Sequence, residues 1–265
     1  MPISGVRKIE NENYSIYYID FFSDEFKQII RQQLQGIWSG FSEADSLPEY
    51  YSYKHTLESF LERFTPKSIE TKKGMIGELL AHILLNNEDN NLTSLSILKN
   101  KEEKSIKKGF DIIYCHLDQD KLWYSEVKSG KSESGTDNST SYNLILQNRA
   151  KTGIAAMIDE NRNSLWESAL YDVSAMIKED EGKLELKKLL SDDSPKLNPI
   201  QKKNVILISV LYHNLIDEIE EASVSNFLNT TKIEDIFEDV IIISIQKNAF
   251  ETVSNFLSSE ITSAI

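Results

Sequence analysis

Two runs, Val205–Tyr212 and Val240–Ile245, constrain the fold more than any other feature of the chain: each is almost wholly apolar and bounded by polar residues. That pattern predicts strands buried on both faces, and such strands require a sheet covered by helices on either side. Helical spacing is present to supply the cover. Phe26, Ile29, Ile30, Leu34 and Ile37 keep it behind a Ser23-Asp24 cap, running to about Trp38. Leu57, Phe60, Leu61 and Phe64 keep it as far as Thr65-Pro66, where proline stops the pattern. Ile69, Met75, Ile76, Leu79, Leu80, Ile83 and Leu84 then form a wide apolar stripe that ends at the polar break Asn86–Asn91. Further helices are expected from about Leu144 to Ile177, around Ile216–Leu228 and over Phe250–Ile261.

Four more segments read as strands: Tyr14–Phe22, Leu95–Leu98, Phe110–Leu117 and Leu122–Lys128, the last two joined as a hairpin by the short turn Asp118–Lys121. The charged, proline-containing segment Lys178–Lys203 reads as a loop or partner surface. Together these elements describe an α/β fold, a mixed central sheet flanked by helices. An N-terminal strand and helical segment, residues 1–65, is expected to pack on a core formed by residues 66–265. A chain of 265 residues buries such a core without staples. The lone Cys115 excludes an intramolecular disulfide and any cysteine-based zinc site. No window approaches the roughly 18 uncharged apolar residues of a membrane span, and no apolar run follows Arg7 and Lys8, so a cytoplasmic location without membrane contact is expected.

The residues that carry chemistry lie between Gly74 and Lys128. Hydrolysis of a phosphodiester near neutral pH needs charge neutralised on the phosphate and a water of lowered pKa, and a divalent ion held by carboxylates supplies both. Mg²⁺, or Mn²⁺ in its place, takes oxygen ligands and keeps several waters, so two or three converging protein oxygens suffice. Across the expected hairpin Asp111 and Glu126 sit on neighbouring strands near its open end. Glu126 and Lys128 point the same way while Val127 points opposite, with its carbonyl as a further ligand. Lys128 is placed to orient the attacking water or to stabilise the charge of the transition state. On the preceding helix Glu78 shares a stripe with Gly74, Ala81 and His82, and the small residues there, Gly77 beside it, allow close approach to a sheet. His82 itself reads as a structural histidine. Glu-x-Lys alone carries no weight, since it also begins at Glu25, Glu70, Glu102, Glu181 and Glu185. Only at Glu126 does it end a strand that faces an aspartate across a turn.

At Asp111, Glu126 and Lys128 the chain resembles the PD-(D/E)xK nuclease superfamily, with Phe110 in place of the motif's proline. Gly74–Leu80, Lys108–Asp111 and Trp123–Ser129 resemble, more narrowly, the HamA family of the bacterial Hachiman anti-phage system and the related AbpA proteins. The resemblance implies a restriction-endonuclease-like core and a Mg²⁺-dependent DNase, an endonuclease or nickase. It implies a catalytic set of Glu78, Asp111, Glu126 and Lys128, with metal held by Asp111, Glu126, the Val127 carbonyl and Glu78. It further implies DNA and a large superfamily 2 helicase, HamB-like, as partners. Lys108 in the charged run before Asp111, and Gln147 and Arg149 at the start of the following helix, are candidates for phosphate contact.

The charge fits that division of labour. A formal net charge of −13 speaks against a protein that finds nucleic acid alone. Yet Pro66–Lys151 holds thirteen basic against twelve acidic residues, so the site region is nearly neutral and the remainder carries the acidity. Two other readings stand beside the DNase: a scaffold of the same fold that docks on a larger partner without catalysis, and an RNase using the same residues.

Overall fold

The computed structural model describes residues 3–88, 92–99, 109–116, 120–131, 138–160 and 163–263. In chain order β1 (Val6–Asn11) and β2 (Tyr14–Ile19) form a hairpin, and α1 (Asp24–Ser39), α2 (Phe41–Ser46), α3 (Tyr53–Phe64) and α4 (Ile69–Glu88) follow. Then come β3 (Leu92–Ser94), β4 (Ile112–His116) and β5 (Lys121–Lys131), and after them α5 (Ser139–Asp159), α6 (Asn163–Met176) and α7 (Asp180–Asp192). The chain closes with β6 (Asn204–Tyr212), α8 (Glu221–Ile233), β7 (Asp239–Lys247) and α9 (Glu251–Ser263). Helix starts follow local chemistry: Phe26 N donates to Ser23 Oγ and Ser141 N to Asn138 Oδ1, so an orphan amide at the head of α1 and of α5 is satisfied by the capping side chain.

Among the described residues one mixed sheet of seven strands runs β1-β2-β7-β6-β5-β4-β3. The central β2, β7, β6 and β5 are mutually parallel, and antiparallel hairpins close both edges. The alternation of β6 shows why its sequence is apolar throughout. Ile206, Ile208, Val210 and Tyr212 enter a core under α1, α3, α4 and α9, while Val205, Leu207 and Leu211 enter another under α5, α6, α7 and α8. The fold is therefore α/β, with a mixed sheet between two helical layers. No helix among the described residues is long and apolar enough to cross a membrane.

The N-terminal segment supplies two of the sheet's strands, because β2 pairs in parallel with β7. Its partner β1 has no strand counterpart in the sequence reading. Arg7, Lys8 and Glu10 hide its alternation, and charges of this kind suit an outer strand that must not recruit another chain. The strand expected at Leu95–Leu98 lies earlier, at β3. Beyond it Leu98 N and Lys99 N bond to the carbonyls of Ile37 and Trp38, drawing the chain off the sheet to the end of α1. The segment Lys178–Lys203, expected as a loop or partner surface, contains α7. Only Leu186 and Leu190 of that helix are buried, so its apolar stripe is too narrow to stand out among the charges. Helix α5 begins at Ser139 rather than near Leu144, and α8 at Glu221 rather than Ile216.

Candidate active site

The hairpin β4–β5 has unequal arms. Pairing runs from His116↔Lys121 to Ile112↔Ser125, where β4 stops, while β5 continues beside β6 as far as Lys131↔Tyr212. From Glu126 onward β5 is thus bordered by a strand on one flank only, among the described residues. Asp111 stands at this step. Its backbone N donates to Ser125 O at 3.2 Å, and its Oδ2 accepts from Val127 N at 2.7 Å, so a carboxylate takes over as acceptor where β4 ends. N–H and C=O of one strand residue point to the same flank, which sets the Val127 carbonyl on this edge as well.

Glu126 lies across from Asp111 when the register is carried one residue further. Val127 enters the core under α4, so Glu126 and Lys128 point to the other face, under α5. Both carboxylates are buried, Asp111 at 7 % and Glu126 at 6 % exposure, deep enough for any charge they meet to count strongly. Lys128 Nζ donates to Glu126 Oε1 in an ion pair, with its own side chain still 29 % exposed. The structure thus brings Asp111, Glu126, Val127 and Lys128 together at the end of one hairpin.

Glu78 approaches from the other layer. It is half-buried on α4, next to Gly77, and a Cβ on Gly77 would fall 1.8 Å from Ser129 Oγ. The helix therefore meets β5 at Ser129, within the stretch that β4 no longer borders. Hard oxygens from Asp111, Glu126 and the Val127 carbonyl on one strand edge suit Mg²⁺ or Mn²⁺. Gly153 of α5 leaves room beside them, since a Cβ there would sit 3.2 Å from Glu126 Oε1. Among the described residues no three Asp, Glu, His or Cys side chains form a ready-made metal-holding group, and Glu78 comes from the layer opposite the face that carries Glu126 and Lys128. His82 is fully buried on α4, as a structural histidine is.

The expected phosphate contacts are dispersed. Lys108 lies outside the described residues. Gln147 and Arg149 do not begin a helix but fall in the third turn of α5, and two residues apart on a helix they point to different sides. Gln147 is buried and its Nε2 donates to Ser244 Oγ at 3.1 Å, whereas Arg149 is exposed.

Two supports escaped the sequence reading. Phe110, Tyr124 and Trp166 form an aromatic cluster with centroids 4.6, 5.1 and 5.7 Å apart, which seats the residue before Asp111. Tyr124 Oη donates to Asp193 Oδ2 at 2.7 Å and accepts from Trp166 Nε1 at 3.1 Å; burial, then Asp193, push its phenol well above 10.0. Beneath α5, Ser209 and Ser244 continue the row of Lys128 across β6 and β7. Asn143 and Gln147 tie that row together, with Ser209 Oγ donating to Asn143 Oδ1 at 2.6 Å and Asn143 Nδ2 to Ser244 Oγ at 3.2 Å. The signal was visible, since each apolar run is broken by one serine. A buried hydroxyl needs a partner, and α5 provides it.

Compared with known proteins, the chain is matched by the model of one family, described as HamA, over residues 3–261. No curated protein matches it.

Proposed function

The chain belongs to the HamA family, and from that premise and its strand-edge carboxylates we propose that it is the metal-dependent DNase of a Hachiman anti-phage defence system, controlled by a superfamily 2 helicase partner. The observation that carries the reading is the meeting of Asp111, Glu126 and Lys128 where β4 ends and β5 runs on.

Asp111 and Glu126, with the Val127 carbonyl, would hold Mg²⁺, which when bound neutralises phosphate charge and lowers the pKa of a water. Val127 N fixes Asp111 through Oδ2, so the carboxylate is oriented before any ligand arrives. Lys128, steered by Glu126, presents an ammonium group on the same face of β5, where it can donate to a phosphate oxygen or to the attacking water. Glu78 would complete the site from α4, directly or through a water, the role that the likeness of Gly74–Leu80 to the HamA family implies. The net charge of −13 gives DNA little reason to bind the chain unaided, which favours delivery by the helicase.

The test is nicking of supercoiled plasmid with Mg²⁺, with and without the helicase. Asp111→Asn, which keeps an acceptor for Val127 N, and Lys128→Ala should each lower the rate at least ~100-fold with the far-ultraviolet spectrum unchanged. Full activity in both variants overturns the proposal. The acidity of the chain outside Pro66–Lys151 favours, as a second reading, a non-catalytic scaffold that docks on a larger partner. Calorimetry with Mn²⁺ separates the two: binding that Glu126→Ala removes supports the enzyme, and no binding alone or with the partner supports the scaffold. RNA in the same nicking assay tests the RNase reading, because both nucleic acids offer the same phosphate chemistry.

A further inference from the structure

Gly153 occupies the interior of α5, a helix of 21 residues, with a backbone outside the left-handed region that would call for glycine. Only proline is worse in such a position, so the residue needs a reason to be there. Its surroundings supply one. The three nearest atoms to a Cβ built on Gly153 all belong to one side chain: Glu126 Oε1 at 3.2 Å, Cδ at 3.5 Å and Cγ at 3.5 Å. At Gly77, by contrast, the close atoms are those of Ser129 and Val210. Nothing of the β5 backbone is among the atoms nearest to Gly153, so the sheet itself would accept an alanine here; the obstacle is the Glu126 carboxylate.

We propose that Gly153 is a positioning residue for Glu126, holding open the space that sets where this carboxylate stands and hence how the site takes a divalent ion. The inference rests on the metal-dependent reading given above. Oε1 is also the atom that accepts from Lys128, so a methyl group pressing on it displaces the ion pair as a unit. A contact of 3.2 Å is tight by a few tenths of an ångström, which a side chain can yield and a catalytic geometry cannot. Stability and function at this position therefore separate: alanine improves the helix and harms the site.

The experiment uses the full chain as wild type, Gly153→Ala and Gly182→Ala, the last at a helical glycine whose added Cβ meets nothing within 4 Å. Melting temperature, Mn²⁺ affinity by calorimetry and plasmid nicking are read for each. Gly153→Ala should melt no lower than wild type, bind Mn²⁺ about tenfold more weakly and nick more slowly, the size of loss seen when a residue orienting a metal ligand is changed. Gly182→Ala should leave affinity and nicking untouched. Equal Mn²⁺ affinity in Gly153→Ala and wild type overturns the inference and leaves the metal-dependent reading standing. A folded wild type that takes no Mn²⁺, alone or with its partner, overturns both. Weaker binding in Gly153→Ala together with a lower melting temperature assigns Gly153 to helix packing and overturns the inference.

Discussion

Replacing Gly77 with alanine probes how closely α4 must lie to the sheet for Glu78 to reach the site. A Cβ at this position falls 1.8 Å from Ser129 Oγ, 3.0 Å from Ser129 Cβ and 3.4 Å from Val210 Cβ. The first overlap involves the end of a rotatable side chain, and turning Ser129 removes it. The second involves an atom fixed to the strand and must be met by a small outward shift of α4. Overpacking of this sort costs about 1–3 kcal/mol, while alanine returns about 1 kcal/mol over glycine in a helix interior. The net expectation lies between neutral and about 2 kcal/mol of destabilisation. That is a fall in melting temperature of up to about 8 °C for a chain of this size. Denaturant titration of wild type, Gly77→Ala, Ser129→Ala and the double variant resolves the terms. Among the described residues Ser129 Oγ takes no hydrogen bond, so Ser129→Ala alone should be close to neutral. In the double variant the loss should shrink by about 0.5 kcal/mol or more, a measurable coupling. Gly77→Ala that is more stable than wild type by the full helix-propensity gain, with no coupling to Ser129, refutes the close approach.

Two further outcomes follow from the buried phenols. Tyr124→Phe removes a donor to Asp193 and an acceptor for Trp166 Nε1 in a fully buried setting, and should cost about 1.5–3 kcal/mol by denaturant titration; a loss below about 0.5 kcal/mol contradicts the network. Burial raises Tyr18 to about 12 and holds Tyr124 and Tyr212 well above 10.0. A phenol whose folded pKa is raised keeps its proton when the unfolded chain has lost it, so this stability is whole below pH 10 and drains away as pH rises above it. Phenolate absorbance should therefore show these tyrosines ionising only with the loss of the circular dichroism signal, and smooth ionisation of every tyrosine near pH 10 in a folded chain contradicts their burial.

Much of this architecture is legible in the sequence wherever one periodicity dominates. β6 and β7 announce themselves by apolar runs that a single serine each interrupts, and α1 by its cap and stripe. The Glu-x-Lys tripeptides show how context decides. Glu25 lies on α1, Glu70 on α4, and Glu181 and Glu185 on α7, where residues two apart point to different sides. At Glu126 the strand turns the same spacing into two side chains on one face. What stayed hidden depends on partners far along the chain. Ser129, Gly130 and Lys131 look like a turn, yet pairing with Val210, Leu211 and Tyr212 keeps them in β5. β1 is concealed by its edge charges, α7 by its narrow stripe. Gly153 carries no local mark at all, because its significance is the carboxylate opposite it.

The unequal arms of the β4–β5 hairpin have a consequence for how the site can be observed. The Val127 amide is held by a side chain, Asp111, whereas the paired stretch of the hairpin, from Ile112↔Ser125 to His116↔Lys121, is held by a neighbouring backbone. Amide hydrogen exchange at this single proton is thus a clock on the Asp111 carboxylate, slowing while it holds the strand and quickening whenever it lets go.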